Sequence, residues 1–214
     1  MPFRMPFASE RLFEFVLWTI GLTCLLAFGA NKVQSAWAQS QAIETLQSQW
    51  RDQVTEIPDQ SLWSTRRVKE FAATSIGADR PVPLGLLSIP NVNIRVVVFD
   101  GTSDRVLNLG AGRIRGTAPI DGAGNLAIAA HRDGFFRGLK DIVVGDTIRL
   151  QHTGGSADYQ VSDLSIVEPD DVSVLAPTDT PTITLITCYP FYFVGSEPQR
   201  FIVRAALQTG KTDD

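Results

Sequence analysis

A chain of 214 residues, 44% of them hydrophobic, holds one well-cored domain and an appendage rather than two substantial domains. Its 23 acidic and 19 basic side chains leave a formal charge of −4 with no long run of either sign, which argues against a nucleic-acid or phosphate binder.

The first predicted element is "FVLWTIGLTCLLAFGA", Phe15 to Ala30, which has no charged side chain and is flanked by Arg4, Arg11 and Lys32. Its 16 residues approach the ~20 that span a bilayer, and Leu12 and Phe13 extend it. The segment reads as a signal-anchor over residues 1–35 with the rest of the chain outside the cytoplasm. The alternative is a signal peptide cleaved near "AWA", Ala36 to Ala38. Either way the remainder is exported, yet no disulfide is available: Cys24 lies in the apolar segment and Cys188 far beyond it. Cys188 is therefore a free thiol in an exported domain, either a reactive group or an inert buried one.

Residues 36–85 read as a helical stem and linker. Ile43, Leu46, Trp50, Val54 and Ile57 recur at helical spacing until Pro58. A second helix is predicted in "SLWSTRRVKEFAAT", and "GADRPVPLG" reads as a linker. The apolar stripe of the stem fits the following domain, a bilayer surface or a partner helix equally well.

From Leu86 the texture changes to short β-branched runs between turn residues: "LLSIP", "VNIRVVVF", "NLAIAAH", "DTIRL", "YQVSDLSIV", "TITLITC" and "RFIVRAAL". This pattern predicts a mainly β barrel or sandwich over 86–208, followed by a short tail, 209–214. "TSDRVLNL" and "FFRGLKDI" read as single helical turns, too short to build a parallel βαβ crossover.

A nucleophilic cysteine needs a base or a lowered pKa, and donors for the oxyanion it creates. Two histidines are present. His152 sits in a glycine-rich turn and reads as a solvated loop residue, whereas His131 closes an apolar strand and opens the turn "RDGFFRG". Arg200 and Arg204 share one strand face, and Arg200 lies at the end of the hairpin nearer the thiol. A guanidinium there would stay charged and offer several rigid donors.

"TLITC", the "AAHRDGFFRGLKDI" segment upstream and "RFIVRA" downstream together resemble the sortases, membrane-anchored cysteine transpeptidases of bacterial surfaces. The resemblance covers roughly Leu86 to Leu207, and the "HRDGFFRGL" turn and "CYPF" are most similar to class D. It implies a closed β-barrel of about eight strands with Cys188 as nucleophile, His131 as acid and base and Arg200 as the catalytic arginine. Thr187 and Tyr189 are implied as substrate or oxyanion support.

The implied reaction cleaves an LPxTG-like C-terminal sorting signal through a thioacyl intermediate and passes the protein to an amine, a cell-wall precursor or another surface protein. No cofactor is expected. Some relatives bind calcium, and "EPDDVSV", with Asp170 and Asp171, is a stretch where such a site would fall, although these carboxylates read equally well as solvated turn residues. Tyr189, Phe191, Tyr192 and Phe193 either line the acceptor side of the groove or pack the loop. Rival readings are a hydrolytic cysteine peptidase using the same three residues and a non-catalytic peptide-binding barrel.

Overall fold

The computed structural model describes residues 18, 58–76, 81–192 and 197–208. The expectations for the apolar segment other than Trp18, for the helix at 43–57, for Cys24 and Phe193 and for the tail lie outside the described residues. Among the described residues no helix is long and apolar enough to cross a membrane. The chain divides into two compact units, Met1–Glu56 and Ile57–Asp214, and the second carries the fold described below.

Eight strands close a barrel in the order β1-β2-β3-β4-β7-β8-β6-β5. They are β1 (Pro83–Ile89), β2 (Ile94–Asp100), β3 (Ala111–Arg113), β4 (Asn125–Ala129), β5 (Thr147–His152), β6 (Gly155–Val167), β7 (Thr182–Tyr189) and β8 (Gln199–Leu207). Pairing of β1 with β5 completes the cylinder, so no edge is left open. Helix α1 (Thr65–Ser75) precedes the barrel, and α2 (Asp104–Leu109) joins β2 to β3.

Period-two alternation decides which side chains fill the barrel. On β7, Ile183 and Leu185 enter the core; on β8, Val203 and Ala205; on β4, Leu126 and Ile128, followed by Ala130 just past its end. The intervening positions therefore face outward, among them Thr184, Ile186 and Cys188 on β7 and Arg200 and Ile202 on β8. This outward face is where Cys188, His131 and Arg200 lie.

The strand runs expected from the sequence form strands, but β3 was not expected. It is three residues long and contains a glycine, so it carries neither alternation nor β-branched enrichment. The expectation of no parallel crossover is also corrected: β2 pairs with β3 in parallel through α2, and β4 pairs with β7 in parallel. The first crossover succeeds with a helix of only 6 residues because glycines let backbones approach. A methyl group at Gly112 would lie 2.1 Å from the Gly101 carbonyl oxygen, and one at Gly110 would lie 2.4 Å from that of Val97.

Helix α1 begins at an N-cap, Ser64, whose hydroxyl oxygen accepts from the Arg67 amide. It packs against the barrel unit through Trp63 and Phe71, which meet Phe135 edge-on at centroid distances of 4.5 and 6.0 Å. Such pairs contribute about 0.5–1.5 kcal/mol each beyond their buried area.

Candidate active site

Cys188 and Arg200 are directly opposite in the antiparallel β7–β8 ladder, so both project from the same outward face. Arg204 pairs with Thr184, farther down the same hairpin. Arg200 Nη1 donates to the carbonyls of Gln199 at 3.0 Å and Glu197 at 3.3 Å, which fixes the guanidinium beside the strand entry.

His131 arrives from the other side. Strands β4 and β7 run parallel with Ala129 opposite Ile186, and the Ala130 amide donates to the Ile186 carbonyl at 3.3 Å. His131 and Cys188 each lie two positions beyond that last pair, so they leave the sheet at the same end and on the same face. The His131 carbonyl then accepts from the amides of Gly134 and Phe136, which turns the chain sharply after the imidazole.

Burial raises the Cys188 pKa above its ordinary value, opposed chiefly by the Arg200 guanidinium, with Arg132 also favouring the thiolate. His131 moves the other way. Burial and the Arg67 charge lower its pKa, while Asp133, Glu70 and Asp104 pull it back. Both shifts favour the neutral thiol and neutral imidazole over the thiolate–imidazolium pair.

Thr187 is only 2% exposed, and its hydroxyl donates to the Ala130 carbonyl at 2.8 Å. Its side chain ties β7 to the start of the histidine loop rather than reaching outward, which leaves the backbone as the part able to face an oxyanion. Tyr189 stacks on Phe201 with ring centroids 6.3 Å apart and meets Phe191 edge-on at 6.0 Å. Of the two readings for this aromatic stretch, Tyr189 and Phe191 pack the loop, while Tyr192 is exposed beneath the Arg137 guanidinium, 4.2 Å from its ring centroid.

Several charged residues that the sequence does not single out bind this site together. Arg132, next to the histidine and 8% exposed, donates to the Pro190 carbonyl and pairs with the Glu197 carboxylate at 3.0 Å. It thus joins the histidine loop to both ends of the connection between Cys188 and Arg200. Arg137 likewise donates to the Phe191 carbonyl. The buried Asn125 side chain donates to the carbonyls of Val174 and Ala176 at 2.9 and 3.0 Å and accepts from Thr184 at 2.7 Å, which holds the β6–β7 connection over the outward face. The one available signal was adjacency, since Arg132 and Asp133 directly follow His131.

Among the described residues no group of three His, Cys, Asp or Glu side chains converges as a metal site requires. The acidic stretch has other uses: the Asp171 carboxylate caps a short 3₁₀ turn by accepting from the Ser173 amide at 3.0 Å, and Glu168 accepts from Gln199 at 3.2 Å. These residues do not fit a calcium site. His152 lies in the β5–β6 turn, where its Nδ1 accepts from the Gly154 amide at 3.1 Å. A surface cavity of about 420 Å³ at Asp100, Ser103 and Arg115 contains none of Cys188, His131 and Arg200, and its Arg115 and Asp100 pair with each other at 3.4 Å.

Comparison with known proteins agrees with this fold. The Sortase domain model matches residues 87–208. The chain is 32% identical over 120 residues to Sortase D of Bacillus subtilis (strain 168), covering 56% of this chain and 61% of that one, so the match spans less than two thirds of that relative. It is 27% identical over 179 residues to Sortase A of Bacillus anthracis, covering 81% and 82%. A Clostridium perfringens Sortase D5 transpeptidase superposes with a TM-score of 0.57 at 23% identity, over 75% of this chain and 94% of that one. Listeria monocytogenes sortase A does so with a TM-score of 0.53 at 27% identity, over 59% and 88%. The class D likeness of the histidine turn accords with the relative named Sortase D. With the family model covering more than half of its length, the chain belongs to the sortase family, whose members are cysteine transpeptidases.

Proposed function

We propose that this chain is a cysteine transpeptidase that cleaves an LPxTG-like C-terminal sorting signal and transfers the protein to an amine at the cell surface. The observation that carries this reading is the Cys188–Arg200 register pair with His131 delivered to the same face by the parallel β4–β7 ladder.

In the acylation half, the Cys188 thiolate adds to the threonine carbonyl carbon and negative charge develops on the oxygen. Arg200, opposite Cys188 in the ladder, is the cation that stabilises the oxyanion in this reading. The carbon–nitrogen bond breaks as His131 gives its proton to the departing amine, leaving a thioester on Cys188. In the second half the acceptor amine adds to the thioester, His131 takes its proton, and the carbon–sulfur bond breaks to release the Cys188 thiolate, which restores the starting thiolate–imidazolium pair. The three side chains suffice for both halves without a cofactor.

The charge-free segment Phe15 to Ala30 with its flanking basic residues supports a single-pass anchor with the barrel outside the cytoplasm. Tethering enzyme and exported substrate to one membrane would raise their effective concentration.

The full chain in detergent, given a fluorogenic LPxTG-type peptide with and without an amine, tests the reading. Transfer product that rises with amine at the expense of hydrolysis product supports it. Hydrolysis indifferent to amine would make the chain a peptidase, and binding without turnover would make it a peptide-binding barrel.

A further inference from the structure

The histidine loop is held by an element outside the barrel. Asp133 receives the Ser64 hydroxyl on Oδ2 at 2.9 Å and Arg67 Nε on Oδ1 at 3.1 Å, and its backbone carbonyl accepts from the Ser64 amide at 3.1 Å. Ser64 is at the same time the cap of α1, so one hydroxyl starts the helix and grips the loop.

Arg67 is 6% exposed, unusual for a residue on a short polar helix. Besides Asp133, its guanidinium reaches Asn108 Oδ1 on α2 at 2.6 Å and Glu70 Oε2 at 2.8 Å. The loop has been shaped to receive it: a methyl group at Gly134 would lie 3.0 Å from Arg67 Cγ. Trp63, Phe71 and Phe135 close the apolar side of the same contact, with Phe135 belonging to the histidine loop. Polar clamp and aromatic cluster therefore bracket the turn that begins at His131.

We propose that Ser64 and Arg67 of α1 are positioning residues for the transpeptidase reaction: through Asp133 they fix the loop that aims His131 at Cys188, so that α1 is part of the active site. This rests on the proposed function for its kinetic arm only. A partly buried ion pair held on one side by a barrel loop and on the other by a separate helix has two jobs open to it, stability or placement. The direction of its charges separates them. Burial raises and the Ser64 hydrogen bond and Arg67 lower the Asp133 pKa, with the lowering dominant, so the carboxylate is ionised at neutral pH. His131 faces Arg67 and Glu70 from α1, Asp104 from α2 and Asp133 from its own loop; Arg67 disfavours the imidazolium and the three carboxylates favour it.

Removing the two clamp charges one at a time thus has opposite effects on His131 but the same effect on its placement. In Arg67→Met the His131 titration midpoint rises, in Asp133→Asn it falls, and in both kcat on the peptide drops on the order of tenfold to a hundredfold while KM stays within about twofold. The chain contains two histidines, so the His131 midpoint is read in an NMR titration of the full chain, its resonance assigned by loss in His131→Ala. Ser64→Ala lowers kcat and Ser64→Thr, which restores the hydroxyl, recovers most of it.

Unmoved His131 midpoints with kcat within about twofold of wild type in folded Asp133→Asn and Arg67→Met would overturn the proposal and leave the clamp purely structural. Should Arg67→Met fail to fold, the nearly isosteric Asp133→Asn and the two Ser64 variants decide alone. Should the wild type not turn over the peptide, the sorting-signal reading fails, and the His131 titration together with the iodoacetamide rate at Cys188 still decides the clamp.

Discussion

At the scale of single residues, the site depends on chemistry that a charge count does not capture. Arg200 lies opposite Cys188 and presents a rigid fork rather than a point charge. Arg200→Lys keeps the charge yet loses that fork, and kcat is expected to fall on the order of 10²–10³-fold, measured on the same peptide. The shifts at Cys188 and His131 also set a pH dependence of stability. Because the folded thiol is harder to ionise, its contribution is complete below the ordinary thiol pKa and is lost as pH rises through the higher folded value. The folded imidazole is harder to protonate, so its contribution is present above the ordinary histidine pKa and is lost as pH falls through the lower folded value. Urea midpoints measured across pH should therefore decline at both ends, with Cys188→Ala flattening the alkaline decline alone. That Cys188, His131 and Arg200 meet at one end of one face was legible in the sequence because each sits at the end of a strand-like run. Arg67, Asp133 and Glu197 were not, because a charged residue in a helix or loop reads as solvated until the fold supplies its partner.

At the scale of elements, alternation and turn residues marked every strand long enough to alternate. The exception is β3, whose three residues cannot express a period. Its partner crossover depends on glycines that approach neighbouring carbonyls, a property of the folded backbone and not of any local pattern. Gly112→Ala would place a methyl group 2.1 Å from the Gly101 carbonyl oxygen, and overpacking of this kind costs about 1–3 kcal/mol or more. A fall in urea midpoint without change in the slope would confirm that the glycine serves packing. Helix α1 was itself legible from "SLWSTRRVKEFAAT", but its docking was not. Its buried cation faces Asp133 and Asn108, partners distant in sequence, and only two aromatic positions, Trp63 and Phe71, signalled a packed side.

At the scale of the whole molecule, a closed barrel brings the exit of β4 to the hairpin formed by the exit of β7 and the entry of β8, at one end of its outward face. Each contributes one of the side chains to which the proposed mechanism assigns a role, and Arg132 joins the first loop to the connection between the other two. The proposed anchor would add location to this chemistry without altering it. The most direct measurement of the central claim is the intact mass of the full chain mixed with an LPxTG-type peptide, followed by peptide mapping. A thioester adduct on Cys188, absent from Cys188→Ala and discharged by an added amine with formation of the amide product, is the predicted result. An adduct on another residue, or turnover that survives in Cys188→Ala, would contradict it.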